Sequence, residues 1–225
     1  MRKHRQPARA HEIDGVVFDL DGVLVDSEPI HFRAANRVLA RFGLAISEDE
    51  YRTFIGLGEF ATWTEWRRRH RIPASIDELL AQHTEARLQD IAAGVPAIDE
   101  AVGLARRLAA ADLRLAIASS STRPVIDALL AALGVADLFP VRVSGEDPEV
   151  HASKPAPDVY RLAAARLARV PAKCLAIEDS GPGVIAAKRA GMLCVAVPNR
   201  WTIDQDFSEA DVVLESLRYF PLLVL

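Results

Sequence analysis

The chain has 225 residues, half of them apolar, enough for one large domain or a domain with an insertion and for a sizeable core. Its formal net charge of -4 gives no basic surface field of the kind nucleic-acid binders show, so no nucleic-acid partner is expected. No apolar run approaches the ~18 residues of a membrane span, and the start lacks the apolar segment of a signal peptide, so a cytoplasmic protein without a membrane partner is expected.

Residues 1–11 (MRKHRQPARAH) are basic and polar and are expected to form a disordered tail. The run from Gly15 to Leu20 is apolar and rich in β-branched residues, which predicts a buried strand, and it stops on Asp19, Asp21 and Gly22. Side chains two apart on a strand share a face, roughly 6.6 to 6.8 Å apart, so Asp19 and Asp21 converge on one site. Open parallel sheets bind their ligands at that carboxyl end.

Residues 30–95 carry helical signals and no strand signals. Ile30, Ala34, Ala35, Val38, Leu39 and Phe42 recur at helical spacing, and Gly43 follows as a stop. Ser47 with Glu50 and Ser75 with Glu78 each predict a capping box. Between them Gly56-Leu57-Gly58 predicts a kink, followed by a helix with Trp63, Trp66 and Arg67, Arg68, Arg69 and Arg71. The tryptophans are expected in the core of this segment and the arginines on a solvated face. Inserted between strand-like flanks, 30–95 reads as a small helical cap.

From Pro96 onward helices alternate with short apolar runs: helices at 99–111, 124–133, 158–168 and 184–190, strands at 113–118, 140–143, 174–177 and 194–197, and a short edge strand at 212–214. Alternation of this length implies parallel βαβ units covered on both faces. The predicted fold is α/β: a Rossmann-like doubly wound core, 12–29 and 96–225, with the α-helical cap inserted. Cys174 and Cys194 open interior strands and are expected to be buried free thiols.

Three strands thus end in polar or acidic residues: Asp19 and Asp21, Ser119 and Ser120, and Glu178 and Asp179. Neighbouring parallel strands lie ~4.8 Å apart, so these ends can surround one small ion or phosphoryl group. Clustered carboxylates repel one another unless a cation sits among them, and hard oxygen ligands suit Mg²⁺. One carboxylate can instead carry a proton, because like charges drive neighbouring pKa values apart. A nucleophile and an acid/base in one motif are expected.

Asp19-x-Asp21-Gly22-Val23-Leu24-Val25-Asp26-Ser27, then Ser119, then Lys154-Pro155-Ala156-Pro157-Asp158, then Glu178-Asp179-Ser180-Gly181-Pro182-Gly183 resemble the four motifs of the haloacid-dehalogenase-like phosphatases, in the family's order. The similarity runs from Ile13 to Pro198 and is nearest to the β-phosphoglucomutase-like branch, whose helical cap follows the first motif. The resemblance implies that Asp19 attacks phosphorus and becomes an aspartyl phosphate, and that Asp21 protonates the leaving alkoxide and then takes a proton from water. It implies Mg²⁺ held by the Asp19 carboxylate, the Asp21 carbonyl and Asp179, with Glu178 direct or through water. Ser119 and the N–H of Ser120 would hold phosphoryl oxygens, and Lys154, with a cis bond to Pro155, would neutralise their charge. His31 falls where that branch places a histidine near substrate, while Asp26 and Ser27 are expected either to pin the turn or to touch substrate.

These readings predict a Mg²⁺-dependent hydrolase of a small phosphorylated metabolite, expected as a monomer with a weak dimer as alternative. Asp21 argues against the dehalogenase branch. The rival is a phosphosugar mutase, whose cap loop carries an arginine for a second phosphate. Here Gly58-Glu59 stand in its place, and Arg52 or Arg87 would have to compensate. A receiver-like phosphoacceptor module or a non-catalytic binding role is the remote alternative, since receivers are shorter and lack the helical insertion.

Overall fold

A strand covered on both faces must be apolar at every position, and Val16, Val17 and Phe18 of β1 (Gly15–Phe18) are each fully buried. The computed structural model describes residues 13–55 and 58–220; the expectations for the tail 1–11 and for Gly56 and Leu57 of the kink fall outside them. After β1 come four helices in succession, α1 (Glu28–Ala40), α2 (Glu48–Arg52), α3 (Glu59–His70) and α4 (Ile76–Ala92). Then helices and strands alternate: α5 (Asp99–Ala110), β2 (Arg114–Ser119), α6 (Arg123–Ala132), β3 (Val141–Ser144), α7 (Asp158–Arg166), β4 (Cys174–Glu178), α8 (Gly181–Ala190), β5 (Leu193–Ala196) and β6 (Val212–Val213).

The six strands form one parallel sheet in the order β3-β2-β1-β4-β5-β6. The chain winds outward from β1 in one direction and then, from β4, in the other, so the strand order reverses between β1 and β4. That reversal leaves a crevice beyond the carboxyl ends of β1 and β4, where open sheets of this class bind ligands.

Alternation along the strands gives the sheet two unlike faces. Val16, Phe18, Leu115, Ile117, Leu175 and Ile177 meet α5 and α6. The other face, Val17, Ala116, Ala118, Cys174, Ala176, Cys194 and Ala196, is built mostly from small residues and meets Tyr160 and Ala163 of α7 and Ala187 of α8. Cys174 and Cys194 are free and buried. Asp19 and Glu178 continue the small-residue parity, two residues beyond Val17 and Ala176, which places Glu178 beneath α7.

The four helices after β1 have a core of their own, in which Val38, Leu39, Tyr51, Phe54, Trp63, Trp66 and Leu79 pack together. Trp63 and Trp66 are buried there, their rings edge to face at 5.1 Å, and Arg67, Arg68, Arg69 and Arg71 are exposed. Ser75 and Glu78 make a full capping box. At α2 only half of the expected box forms: Ser47 accepts the Glu50 N–H at 3.1 Å, but the Glu50 carboxylate turns to His70 Nε2 at 3.4 Å instead of back to Ser47. α8 begins at Ser180, whose hydroxyl accepts the Gly183 N–H at 3.2 Å, and stops at Gly191 with φ 92°. Among the described residues no helix is long and apolar enough to cross a membrane.

The aromatic pair Phe18–Phe139, edge to face at 5.5 Å, joins β1 to the segment before β3. Phe139 is fully buried, so Phe139→Ala should destabilise the fold by about 3–5 kcal/mol, read as a lowered midpoint in urea unfolding.

Candidate active site

β1 hands the chain directly into the site. Asp19 follows its last residue, and the Asp19 N–H still donates to Ile177 O of β4 at 2.9 Å, so the carboxylate is fixed to the sheet. The turn that follows needs Gly22, with φ +78°, because a Cβ there would lie 2.2 Å from Asp179 Oδ2. Close approach of these two segments brings the ends of β1 and β4 to one point.

Lys154 organises that point. Its Nζ donates to Asp19 Oδ1 and to Glu178 Oε1, each at 2.6 Å, and the Lys154–Pro155 peptide is cis. Glu178 is fully buried. Its Oε1 also accepts the Tyr160 hydroxyl at 2.6 Å, and its Oε2 accepts Asp179 N–H, Ser180 N–H and Ser180 Oγ at 3.1, 3.2 and 3.1 Å. Five donors leave the carboxylate no free valence, and Gly183 makes room for it, since a Cβ there would fall 1.9 Å from Oε1. Asp179 is held differently, by Asn199 Nδ2 at 2.7 Å on Oδ2.

Charge at this point does not balance. Burial pushes the Asp19 carboxyl up to about 8, against the attraction of Lys154 and with the repulsion of Glu178 and Asp21. Burial likewise pushes Asp179 well above the carboxylate range, with Glu178 and Asp19 adding to it. Carboxylate oxygens of Asp19, Glu178 and Asp179 lie within 4.8 Å of one another. Three buried acids facing one lysine are the donor set of a hard divalent cation. Asp19 and Asp179 have oxygen free for it, while Glu178 is spent on the protein and would act on it through its charge.

Asp21 lies apart from that cluster, in a net of donors. Its Oδ2 accepts Ser121 Oγ at 2.8 Å and Ser119 Oγ at 3.2 Å, and its Oδ1 faces His31 Nε2 at 3.3 Å and Arg87 Nη2 at 3.4 Å. Burial alone would raise this carboxyl, but the His31 hydrogen bond and the Arg87 charge outweigh it and hold Asp21 far below the usual range. Two carboxyls two residues apart are thus driven in opposite directions, the signature of divided acid–base roles.

Arg87 is 1% exposed and bridges Asp21 to Glu59, with Nη1 2.5 Å from Glu59 Oε1. His83, one turn before it on α4, faces Glu59 Oε2 through Nδ1 at 3.3 Å. Burial lowers the His83 pKa. Glu59 is held below its ordinary range because Arg87 and His83 outweigh its burial.

A cavity of about 180 Å³ opens between these groups and the four helices, lined by Asp19, Asp21, Lys154 and Asp179 and by Glu28, Glu59, Tyr51 and Trp63. Ser120 and Ser121 line it. Ser119, expected to face a phosphoryl group, is fully buried; its hydroxyl turns to Asp21 and accepts the Ser121 N–H at 3.0 Å. Asp26 pins the turn instead of lining the cavity, accepting Trp201 Nε1 at 3.2 Å, and Ser27 is buried beside it. The structure brings together Asp19, Asp21, Glu178, Asp179, Lys154, His31, Glu59, Arg87 and Ser120.

Sequence reasoning missed Ser121, Tyr160, His83 and Asn199. Ser121 follows Ser119 at the spacing that joined Asp19 to Asp21, and Asn199 closes a fourth strand end, so both had a legible signal. His83 and Arg87 share one face of α4 by their spacing of four. Tyr160, in an apolar helix, had none.

The profile of the haloacid dehalogenase-like hydrolases matches residues 13–191. The protein CbbY of Rhodobacter capsulatus is 37% identical over 213 residues, which are 89% of this chain and 92% of that protein. Hexitol phosphatase B of Escherichia coli is 32% identical over 212 residues, 92% of this chain and 93% of that one. Among solved structures, a mutant of CbbY from Rhodobacter sphaeroides in complex with xylulose-(1,5)bisphosphate superposes with a TM-score of 0.88 at 30% identity, covering 95% of this chain and 99% of that one.

A cation that binds only the folded chain stabilises it by mass action, about 2.7 kcal/mol at a hundred times its Kd. Mg²⁺ should therefore raise the melting temperature in a concentration-dependent way. Asp179→Asn should melt no lower than the parent chain without Mg²⁺, because one repelling carboxylate is gone, and should lose the Mg²⁺ shift.

Proposed function

Because the chain belongs to the haloacid dehalogenase-like hydrolases, we propose that it is a Mg²⁺-dependent phosphatase of a small phosphorylated metabolite that works through an aspartyl phosphate on Asp19. The observation that carries this reading is the meeting of Asp19, Asp21, Lys154 and Asp179 in one cavity at the β1–β4 crevice. Asp19 attacks phosphorus as the bond to the leaving oxygen breaks, and Asp21 gives that oxygen a proton. Water then attacks the aspartyl phosphate, and Asp21 takes its proton.

The resting net of His31, Arg87, Ser119 and Ser121 keeps Asp21 ionised, the form that accepts a proton. An arriving phosphoryl dianion raises its pKa by like-charge repulsion and so favours the form that donates. Lys154 holds Asp19 in place and offsets phosphoryl charge, and Ser120 and Ser121 offer groups to the phosphoryl oxygens. Asp19 and Asp179 would hold Mg²⁺, which supplies positive charge to offset the transferring phosphoryl group. The segment α1 to α4 serves as a cap over the leaving group.

Hydrolysis fits the site better than return of the phosphoryl group to a second hydroxyl. Arg87, a candidate to compensate for Glu59, is buried and paired with it. Arg52 is occupied with Glu48 at 2.9 Å.

Asp19→Asn should abolish Mg²⁺-dependent release of phosphate from 4-nitrophenyl phosphate and from sugar phosphates, and retained turnover would remove Asp19 as nucleophile. Asp21→Asn should lower kcat by about 10²–10⁴-fold, the usual weight of a general acid–base.

A further inference from the structure

Three of the four helices after β1 each send one metal-ligating side chain to a common point: His31 from α1, Glu59 from α3 and His83 from α4. One ligand atom from each lies within 4.8 Å of the others. The two imidazole rings are 5.6 Å apart at their centroids. All three residues line the cavity, so a small ion can reach them.

Both histidines are turned the same way. His31 Nε2 faces Asp21 Oδ1 at 3.3 Å, while its Nδ1 faces Glu59 Oε1 at 3.9 Å. His83 Nε2 faces the His31 carbonyl oxygen at 3.4 Å, while its Nδ1 faces Glu59 Oε2 at 3.3 Å. An Nε2–H held by a carboxylate or a backbone carbonyl is the usual support of a metal-binding imidazole, and it turns the Nδ1 lone pair outward. Hydrogen bonds alone do not satisfy His83. A neutral imidazole carries one proton for two nitrogens, and both of these nitrogens face oxygen acceptors. The doubly protonated ring would satisfy both, but the side chain is 4% exposed and burial lowers its pKa.

Charge and spacing both suit a cation at this point. Asp21 and Glu59 are held ionised and share the single guanidinium of Arg87, so with neutral imidazoles the group is net negative. Arg87 takes Glu59 Oε1, which leaves Oε2 for an ion. Two ligands about 2.0–2.1 Å from a tetrahedral ion lie roughly 3.3 Å apart. The distance from His83 Nδ1 to Glu59 Oε2 is 3.3 Å. Imidazole nitrogen suits Zn²⁺ and its transition-metal neighbours, whereas Mg²⁺ prefers an oxygen shell. We propose that His31, Glu59 and His83 form a second cation site, separate from the oxygen set of Asp19 and Asp179, that takes Zn²⁺ or a similar divalent transition-metal ion. The ion is held by the two Nδ1 atoms and Glu59 Oε2, and it ties α1, α3 and α4 together. Three protein ligands leave a fourth position open to the cavity, for water or for an oxygen of what binds there.

The test titrates Zn²⁺ by calorimetry into the full chain held in excess Mg²⁺, which keeps the oxygen set occupied. Zn²⁺ should bind, and His83→Gln should weaken that binding by roughly 100-fold or more, since loss of a mere outer partner of a ligand already costs about 10–100-fold. Asp179→Asn should bind Zn²⁺ as the parent chain does. Absence of Zn²⁺ binding in excess Mg²⁺ overturns the proposal, and so does binding that His83→Gln leaves unchanged or that Asp179→Asn abolishes. If His83→Gln does not fold, crystals of the parent chain soaked in Zn²⁺ decide the matter. An anomalous-scattering peak among His31, Glu59 and His83 supports the site, and peaks confined to any other position overturn it. Neither measurement depends on turnover, so failure of the phosphatase reading would leave the result intact.

Discussion

One lysine holds the ends of two neighbouring strands together. Without the Lys154 ammonium, Asp19 and Glu178 would be buried side by side with nothing between them, an arrangement that costs several kcal/mol per unpaired charge. Each of the three is 10% exposed or less at its side chain. The ammonium also explains the support around it. Glu178 must be saturated by Tyr160 and the Ser180 turn so that its second oxygen is not left bare, and Gly183 must lack a side chain so that the turn can close. Asp179, which receives no hydrogen bond from the lysine, is steadied by Asn199 instead.

Much of this was legible in the sequence, for a physical reason. A buried strand has no use for acid, so Asp19, Asp21, Glu178 and Asp179 at the ends of apolar runs advertised chemistry, and the rarity of lysine singled out Lys154. The alternation of helices with strands gave the parallel sheet, with bounds within three residues, the largest difference being the start of α8 at Gly181 rather than Val184. Side-chain direction was not legible. Ser119 was expected to face a phosphoryl group, yet its hydroxyl follows the stronger acceptor, Asp21. Glu50 completes a capping box on paper but finds His70 in space. Tyr160 reads as an ordinary core aromatic, and only the fold brings its hydroxyl under Glu178, which lies 18 positions later in the chain.

The helical segment shows the same limit from another side. Its core was expected in part from the sequence, Val38 and Leu39 from their helical spacing and Trp63 and Trp66 from their residue type, whereas Tyr51 was not. Its contribution to the cavity depends on tertiary pairings between helices far apart in sequence: Glu28 with Tyr51, Glu59 with His83 and Arg87, His31 with Asp21. Such pairings join α1, α3 and α4 to the turn after β1. The part of the site that performs chemistry is thus written in local motifs, and the part that chooses what to act on is written in long-range contacts.

The two faces of the sheet divide the molecule's capacity for change over evolutionary time. Toward α5 and α6 the strands present valine, leucine, isoleucine and phenylalanine, residues that can be exchanged for one another at small cost when total volume is kept. Toward α7 and α8 they present mostly alanine and cysteine, where almost every replacement adds volume to a close-packed layer. That second layer is the one that seats Tyr160 and Glu178. Substitutions that keep volume are therefore expected to cost less on the side of the sheet away from the Glu178 network than on the side that seats it.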